Sequence, residues 1–382
     1  MIHRHRIYLL IAVLMASISH GQLSAQDISH PIRIPAEFHH GLIFVEPASK
    51  DGNTMRFFTD TADITVMYQQ TVDRLLLTTT SAIIQDRQMQ AAFLPQFDST
   101  RFIPPPLITD GLIPVRPDDR KPPHHRVILG GKNGTSHGDG ILGSSWFASR
   151  AWSINYRDET FYAVPVSSLM ENGFFMPEQN GDEGGGDGRT GNNGDGTIDG
   201  IPSGNDDSSG GMNNDQSSAT GRLPGNTVPL YFKMEGGRRA YHYPALHVVI
   251  AGDTLAMVLK TGSNIILNDS AQKALGHPDA LFPAGLISES VADGWMDAHP
   301  DWTVYEGADH HYGSDVIKVP EIRIGPHSGG PVRFAIRREE AFSEWFSQFT
   351  GIPVVGAIGP DAFRDAHITI NYPGSVLIFH DP

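Results

Sequence analysis

The chain has 382 residues, 39% hydrophobic and 19% charged, with a formal net charge of −15. That length exceeds one average domain, and the acidic balance excludes a nucleic-acid or anionic-membrane surface, which needs clustered Lys and Arg. With no cysteine, disulfides, thiolate metal sites, a cysteine nucleophile and a lipidated N-terminal Cys are excluded as well.

Residues 1–25 read as a signal peptide. Arg4 and Arg6 precede the apolar stretch Ile7–Ile18, and the small and polar residues "SHGQLSAQ" follow. The apolar run is shorter than the ~20 residues a bilayer span takes. Cleavage after Gly21 or Ala25 fits the pattern, and the rest is expected to be exported, without an integral membrane segment.

Residues 30–176 are expected to form a first lobe. In "RFFTDTADITVM" an apolar strand runs into Asp60-Thr61, an apolar run resumes at Ile64, and a short helix is predicted to end at Leu75. Further on come an apolar turn, "GILG" (Gly140–Gly143), and "GSSWFASRAWSINY" (Gly143–Tyr156), which leads into a strand-turn-strand unit.

Residues 177–226 change character. "GDEGGGDGRTGNNGDGTIDG" cannot bury enough apolar surface to fold alone and reads as a tether. Within it, Asn193, Asp195, Gly196, Ile198 and Asp199 have the rhythm of a calcium loop. The end positions fall on Gly191 and Pro202, whose side chains cannot coordinate, so linker is the plainer reading.

Residues 227–382 repeat the first lobe. "LHVVIAGDTLAMVLKTG" predicts a hairpin around Gly252-Asp253, and its second strand runs into Lys260-Thr261-Gly262. Asp60 aligns with Lys260 and Thr61 with Thr261 at an offset of 260 − 60 = 200, without gaps as far as Leu75 and Leu275. "GAIG" (Gly356–Gly359) and "GPDAFRDAHITINY" (Gly359–Tyr372) repeat the later landmarks at 359 − 143 = 216, which leaves about 16 more residues between landmarks in the second copy. Two landmarks in the same order point to an internal duplication of a small all-β unit. Helical pattern is confined to short stretches such as Glu339–Phe349.

An apolar strand into Asp-Thr-x, a Gly-Ile-Leu-Gly turn and an Ile-Asn-Tyr hairpin, met twice, resemble the retropepsin-like and pepsin-like aspartic proteases. The bacterial exported aspartyl-protease-like proteins are the closer match. The resemblance covers Phe38–Val166 and Val228–Phe379. It implies an all-β fold of two β-barrel lobes related by duplication, with two Asp-Thr-Gly loops facing one another. In that family two close carboxylates share one proton, one drawing a proton from water and the other polarising the peptide carbonyl.

Carried over residue by residue, Asp60 takes the first aspartate position and Thr61 the bracing threonine. Ala62 replaces Gly, with a deleted Gly as the other alignment. Thr261, Gly262 and Ser263 fit, but Lys260 stands where the second Asp belongs. The ammonium is expected to pull the Asp60 pKa down and to form a salt bridge holding the lobes together. The resemblance therefore implies a non-standard protease that binds a peptide or protein in the inter-lobe cleft. The alternative is an active endopeptidase with Asp60 catalytic, as a monomer or as a homodimer pairing two Asp60 residues. No cofactor or metal is implied.

Other motifs carry less. The doublets His39-His40, His124-His125 and His310-His311 show no metal-ligand spacing and read as surface loops. "GTSHG" (Gly134–Gly138) matches a serine-hydrolase elbow but lacks the strand-turn-helix setting. Asp293, Asp297 and Asp301, with Trp295 and Trp302, could line a groove, but a solvated loop with packed aromatics is the plainer reading.

Overall fold

The computed structural model describes residues 28–84, 87–97, 112–117, 138–148, 150–171, 173–174 and 224–380. The signal peptide, the calcium-like loop, His124-His125 and all of "GTSHG" but Gly138 lie outside these. Three large sheets make up an all-β fold of two lobes.

The first lobe's sheet has eight strands, in the order Ala36–His39, Leu42–Val45, Phe57–Thr59, Gly140–Leu142, Val66–Tyr68, Leu112–Arg116, Arg87–Phe93 and Thr79–Ile84. Leu42–Val45, Phe57–Thr59 and Gly140–Leu142 are buried at every residue. They read as continuous apolar runs because both faces are covered. The second lobe's nine-stranded sheet centres on Asp253–Leu259, Gly356–Ile358 and Gly285–Ser288.

The duplication is visible in strand register. Thr59 pairs in parallel with Leu142, and Leu259 pairs in parallel with Ile358. The offsets are 259 − 59 = 200 and 358 − 142 = 216, those of the two sequence landmarks. On the far side of the Gly-containing strand, Val66 pairs with Ile141 and Leu286 with Ala357. That offset is 286 − 66 = 220.

The ungapped match through Leu75 and Leu275 is therefore corrected. Equivalence stops at Ser263 and resumes near Ala284, so residues 264–283 are an insertion of 220 − 200 = 20 residues. The sixteen extra residues are twenty inserted here, less four between this point and the Gly turn (216 − 220 = −4). The insertion folds as a hairpin, Asn264–Ile266 with Leu281–Pro283, around the helix Asp269–Leu275. That helix has its own caps, the Asn268 side chain accepting from the Ala271 amide and Gly276 in the left-handed region at φ 62°. The true counterpart of helix Gln69–Arg74 is Glu289–Ala298, which likewise follows the strand paired to the Gly turn.

Two local readings also shift. The hairpin turn is Ala251-Gly252, both at positive φ (53° and 92°), one residue earlier than expected. The predicted helix over Glu339–Phe349 resolves into a π turn, Ala341–Trp345, and a 3-10 turn, Phe346–Gln348.

A third sheet is shared by both halves. Its order is Ile32–Arg33, Thr160–Val164, Ala151–Asn155, His367–Asn371, Val376–His380, Thr227–Pro229. The central antiparallel pair places Ser153 opposite Thr369, and 369 − 153 = 216, so at the centre of the pair two duplicates face one another. A local two-fold axis thus passes between them. Trp152, Ile154 and Ile370 of these strands, with Tyr372 just beyond them, are fully buried in a core drawing on both halves. Trp146 and Trp152 pack within it with ring centroids 4.2 Å apart, tilted by 36°. Across the halves, Phe147 stacks on Tyr372 with ring centroids 6.2 Å apart. Among the described residues, no helix is long and apolar enough to cross a membrane.

Candidate functional site

The strands Phe57–Thr59 and Asp253–Leu259 each end in a tight loop, and the two loops meet at their tips. Each opens identically: the Asp60 amide donates to the Leu142 carbonyl at 3.1 Å, the Lys260 amide to Ile358 at 2.9 Å. Each closes through the amide three residues on, Asp63 to the Asp60 carbonyl at 3.4 Å and Ser263 to Lys260 at 2.9 Å. The turns are of equal length, so Ala62 is a substitution for Gly, not the residue after a deletion.

The "GILG" and "GAIG" turns need their closing glycine because these loops press on it. A Cβ on Gly143 would lie 2.2 Å from the Asp63 carbonyl oxygen, and one on Gly359 2.7 Å from Ser263 Cβ. The contact is fastened by the Ser144 amide, which donates to the Asp63 carbonyl at 2.8 Å.

Thr61 and Thr261 brace the loops. The Thr61 amide donates to Thr261 Oγ1 at 3.1 Å, and the Thr261 amide to Thr61 Oγ1 at 3.0 Å. The Thr61 hydroxyl donates to the Leu259 carbonyl at 2.6 Å. Both threonines are buried, so each of these bonds replaces water the groups cannot reach.

Asp60 is 1% exposed. Its Oδ1 accepts the Ala62 amide at 2.9 Å, and its Oδ2 accepts from the Lys260 ammonium. Gly262 covers the carboxyl from the second loop, and a Cβ there would sit 2.7 Å from its Cγ. The five residues singled out from sequence, Asp60, Thr61, Lys260, Thr261 and Gly262, are thus all brought together.

The electrostatics correct one expectation. Burial pushes the Asp60 carboxyl above the usual carboxylate range, and the opposing pull of Lys260 does not overcome it; the charge on Asp63 adds to the rise. Burial works to lower Lys260, but Asp60 and Asp63 outweigh it and hold the ammonium above the ordinary lysine value. The pair is a lysine held in its ammonium form against a lone carboxyl group, to which it donates. It lacks the carboxylic acid that a shared-proton dyad would offer to a carbonyl.

Several residues met in the sequence only as parts of the motifs take part as well. Asp63 acts on both members of the pair and lies 3.9 Å from Arg116. Tyr156 and Tyr372, the duplicated tyrosines of Ile-Asn-Tyr (372 − 156 = 216), have hydroxyl pKa values raised by burial and, more weakly, by Asp60. Ser263 is fully buried, and its hydroxyl has no hydrogen-bond partner among the described residues. The repeat spacing carried a signal for the tyrosines; for Asp63, only its place beside the motif. The acidic stretch read as a solvated loop is corrected: Asp293 and Asp297 lie on the helix Glu289–Ala298, whose Trp295 is buried and packs 5.9 Å from Trp302.

Among the described residues, three other aspartates are also buried and read as structural. Asp139 accepts from the Arg56 amide, Thr71 and Arg74; Asp309 pairs with Arg337, and Asp361 with Arg333 and Arg364. Asp60 differs in taking its cation from the duplicate of its own position.

No protein-family model matches the chain, and no curated protein does. Among solved structures, conglutin gamma, a basic 7S globulin from lupine seeds, is similar at 8% identity and a TM-score of 0.38, covering 92% of this chain and 95% of that one. Basic 7S globulin from soybean is similar at 6% identity and a TM-score of 0.35, covering 92% and 94%. Likenesses this remote carry no functional inference.

Proposed function

We propose that this is an exported protein of aspartic-protease architecture whose paired-carboxylate chemistry has been replaced by an ion pair, and that it holds a peptide between its lobes without cleaving it. The observation that carries this reading is the Lys260 ammonium on the Asp60 carboxylate, at the position the resemblance reserves for a second aspartate. An aspartic mechanism needs one carboxylate to take a proton from water while a carboxylic acid polarises the carbonyl. Here the second group is a cation, and the single carboxylate is consumed in pairing. The peptide and the export come from the resemblance and from residues 1–25.

A second reading keeps Asp60 catalytic, with Asp63 as a displaced second carboxylate. Its support is the charge coupling of Asp63 to Asp60 and Lys260. One experiment separates the two. Denatured casein is incubated with the protein across pH 3–8, with and without pepstatin, and fluorescein-labelled casein peptides are titrated by anisotropy. Binding without cleavage supports the first reading. Pepstatin-sensitive cleavage that is lost in both Asp60→Asn and Asp63→Asn supports the second.

A further inference from the structure

The twenty-residue insertion of the second lobe reaches the first lobe at a histidine turn. His39 ends the strand Ala36–His39, and His40 opens the turn into Leu42–Val45. Neighbouring side chains on a strand point to opposite faces. His40 escapes that alternation because its backbone is left-handed, φ 52°, followed by Gly41 at φ 86°. Histidine tolerates that conformation better than most residues.

Both imidazoles consequently face one carboxylate. His40 Nε2 lies 2.8 Å and His39 Nε2 3.5 Å from Asp279 Oδ2. Ligand-capable atoms of all three residues lie within 4.8 Å of one another. Asp279 belongs to the insertion 264–283, which the first lobe lacks. His277 of the same insertion sits with its ring centroid 4.4 Å from that of His40. Its Nδ1 is 2.9 Å from the Asp279 carbonyl, which can only accept, so Nδ1 carries a hydrogen.

We propose that His39, His40 and Asp279 form a binding site for a first-row divalent cation of the zinc class, and that the cation clamps the insertion of the second lobe onto the first lobe. Two imidazoles and a carboxylate are the donor set such ions favour. Bonds of about 2.0–2.2 Å place tetrahedral ligand atoms roughly 3–3.5 Å apart, so the present spacing needs only small side-chain adjustment. Three protein ligands leave a fourth position for water. The side chains are 34%, 33% and 45% exposed, which lets an ion enter without opening the fold. The site uses none of the residues around Asp60, and stands or falls apart from the reading of that pair.

The test uses the full chain without a histidine tag, freed of metal by dialysis against a chelator. Zn²⁺ alone is titrated calorimetrically, and Co²⁺ alone is followed by its visible absorption. The expected result is one strongest site per chain, a tetrahedral Co²⁺ spectrum and a rise in Tm on Zn²⁺ addition. His40→Asn, which still tolerates the left-handed turn, and Asp279→Ala should each weaken that site about tenfold or more and remove the Tm rise. The double variant His310→Ala/His311→Ala removes a different doublet and should leave both unchanged; circular dichroism verifies that all variants are folded. Absence of a stoichiometric site in the wild type, or Kd values unchanged in folded His40→Asn and Asp279→Ala, would overturn the proposal.

Discussion

Thr61 and Thr261 each donate a backbone N–H to the other's hydroxyl, at 3.1 and 3.0 Å. The exchange is reciprocal because the residues are duplicates, 200 positions apart, meeting across a local two-fold axis. It locks the two loops together whatever stands at positions 60 and 260. The frame is therefore intact where the chemistry has changed.

Removing either hydroxyl should be costly. Thr61→Val leaves the Thr261 amide buried without an acceptor, and Thr261→Val does the same to the Thr61 amide. Each should lower the unfolding free energy by about 1–3 kcal/mol, read from urea denaturation. The double variant should cost less than the sum, since the hydrogen bond from the Thr261 hydroxyl to the Thr61 hydroxyl, at 3.4 Å, is lost in either single variant. Full additivity would show that the brace is not a unit.

Lys260→Met should destabilise by about 3–5 kcal/mol at neutral pH, because it strands a buried carboxylate. The sign with pH follows from Asp60. Its folded pKa is raised, so the folded state holds that proton more tightly than the unfolded state, and stability falls as pH rises from the ordinary carboxylate value through the raised one. Without the ammonium, burial acts unopposed and that fall deepens. The Tm deficit of Lys260→Met should be small at pH 4 and large at pH 8. In the wild type, the contribution of Lys260 is present below the ordinary lysine value and lost only as pH climbs through its raised one. An equal deficit at pH 4 and pH 8 would contradict the burial of the pair.

Gly262→Ala should disturb Asp60 directly, since the added methyl carbon would sit 2.7 Å from three atoms of that side chain. A loss of about 1–3 kcal/mol is expected. Gly294, on the helix Glu289–Ala298, has open space where a Cβ would project and serves as the control. A Gly262→Ala variant as stable as the wild type would mean that the loops sit further apart.

Chain cleavage between residues 177 and 222 should not separate the halves. The Gly/Asn/Asp-rich composition of that stretch marks it for proteolysis, and the shared sheet pairs Ala151–Asn155 with His367–Asn371 over five residues. Brief digestion should give two fragments on a denaturing gel that co-elute in native gel filtration. Fragments that separate without denaturant would contradict the shared core.

The facing of Asp60 and Lys260 was legible because a constant offset carried strand, loop and turn together in both copies. What misled was residues 264–283. "NIIL" repeats the apolar pattern of "ITVM", and the helix after it is genuine, with its own cap, so local pattern could not show that it was inserted. The Asp60 pKa was misjudged for a related reason: the ammonium is visible in sequence, whereas burial of the carboxyl is a property of the assembled loops. The gathering of His39, His40 and Asp279 depends on one left-handed residue and on contacts 239 positions apart, neither of which spacing encodes.

Restoring the second carboxylate should restore chemistry. Lys260→Asp with Ala62→Gly places two carboxylates on facing loops, and their repulsion should raise one pKa into the working range. It would also offer an acceptor in the turn where the buried Ser263 hydroxyl has none. Acid-dependent, pepstatin-sensitive peptidase activity is expected to appear, and Asp60→Asn in that background to abolish it. The same repulsion should make the variant melt lower at pH 8 than at pH 5, relative to the parent.

Whether the Asp60–Lys260 ion pair has replaced aspartic-protease chemistry is decided by a cleavage assay of the unaltered protein on denatured casein from pH 3 to pH 8, beside Asp60→Asn and Lys260→Ala. An ion pair at this position leads to no pepstatin-sensitive cleavage by the wild type at any pH. Cleavage that pepstatin blocks, that Asp60→Asn abolishes and that Lys260→Ala leaves intact would refute it, because a carboxylate other than a residue at 260 would then be completing the site.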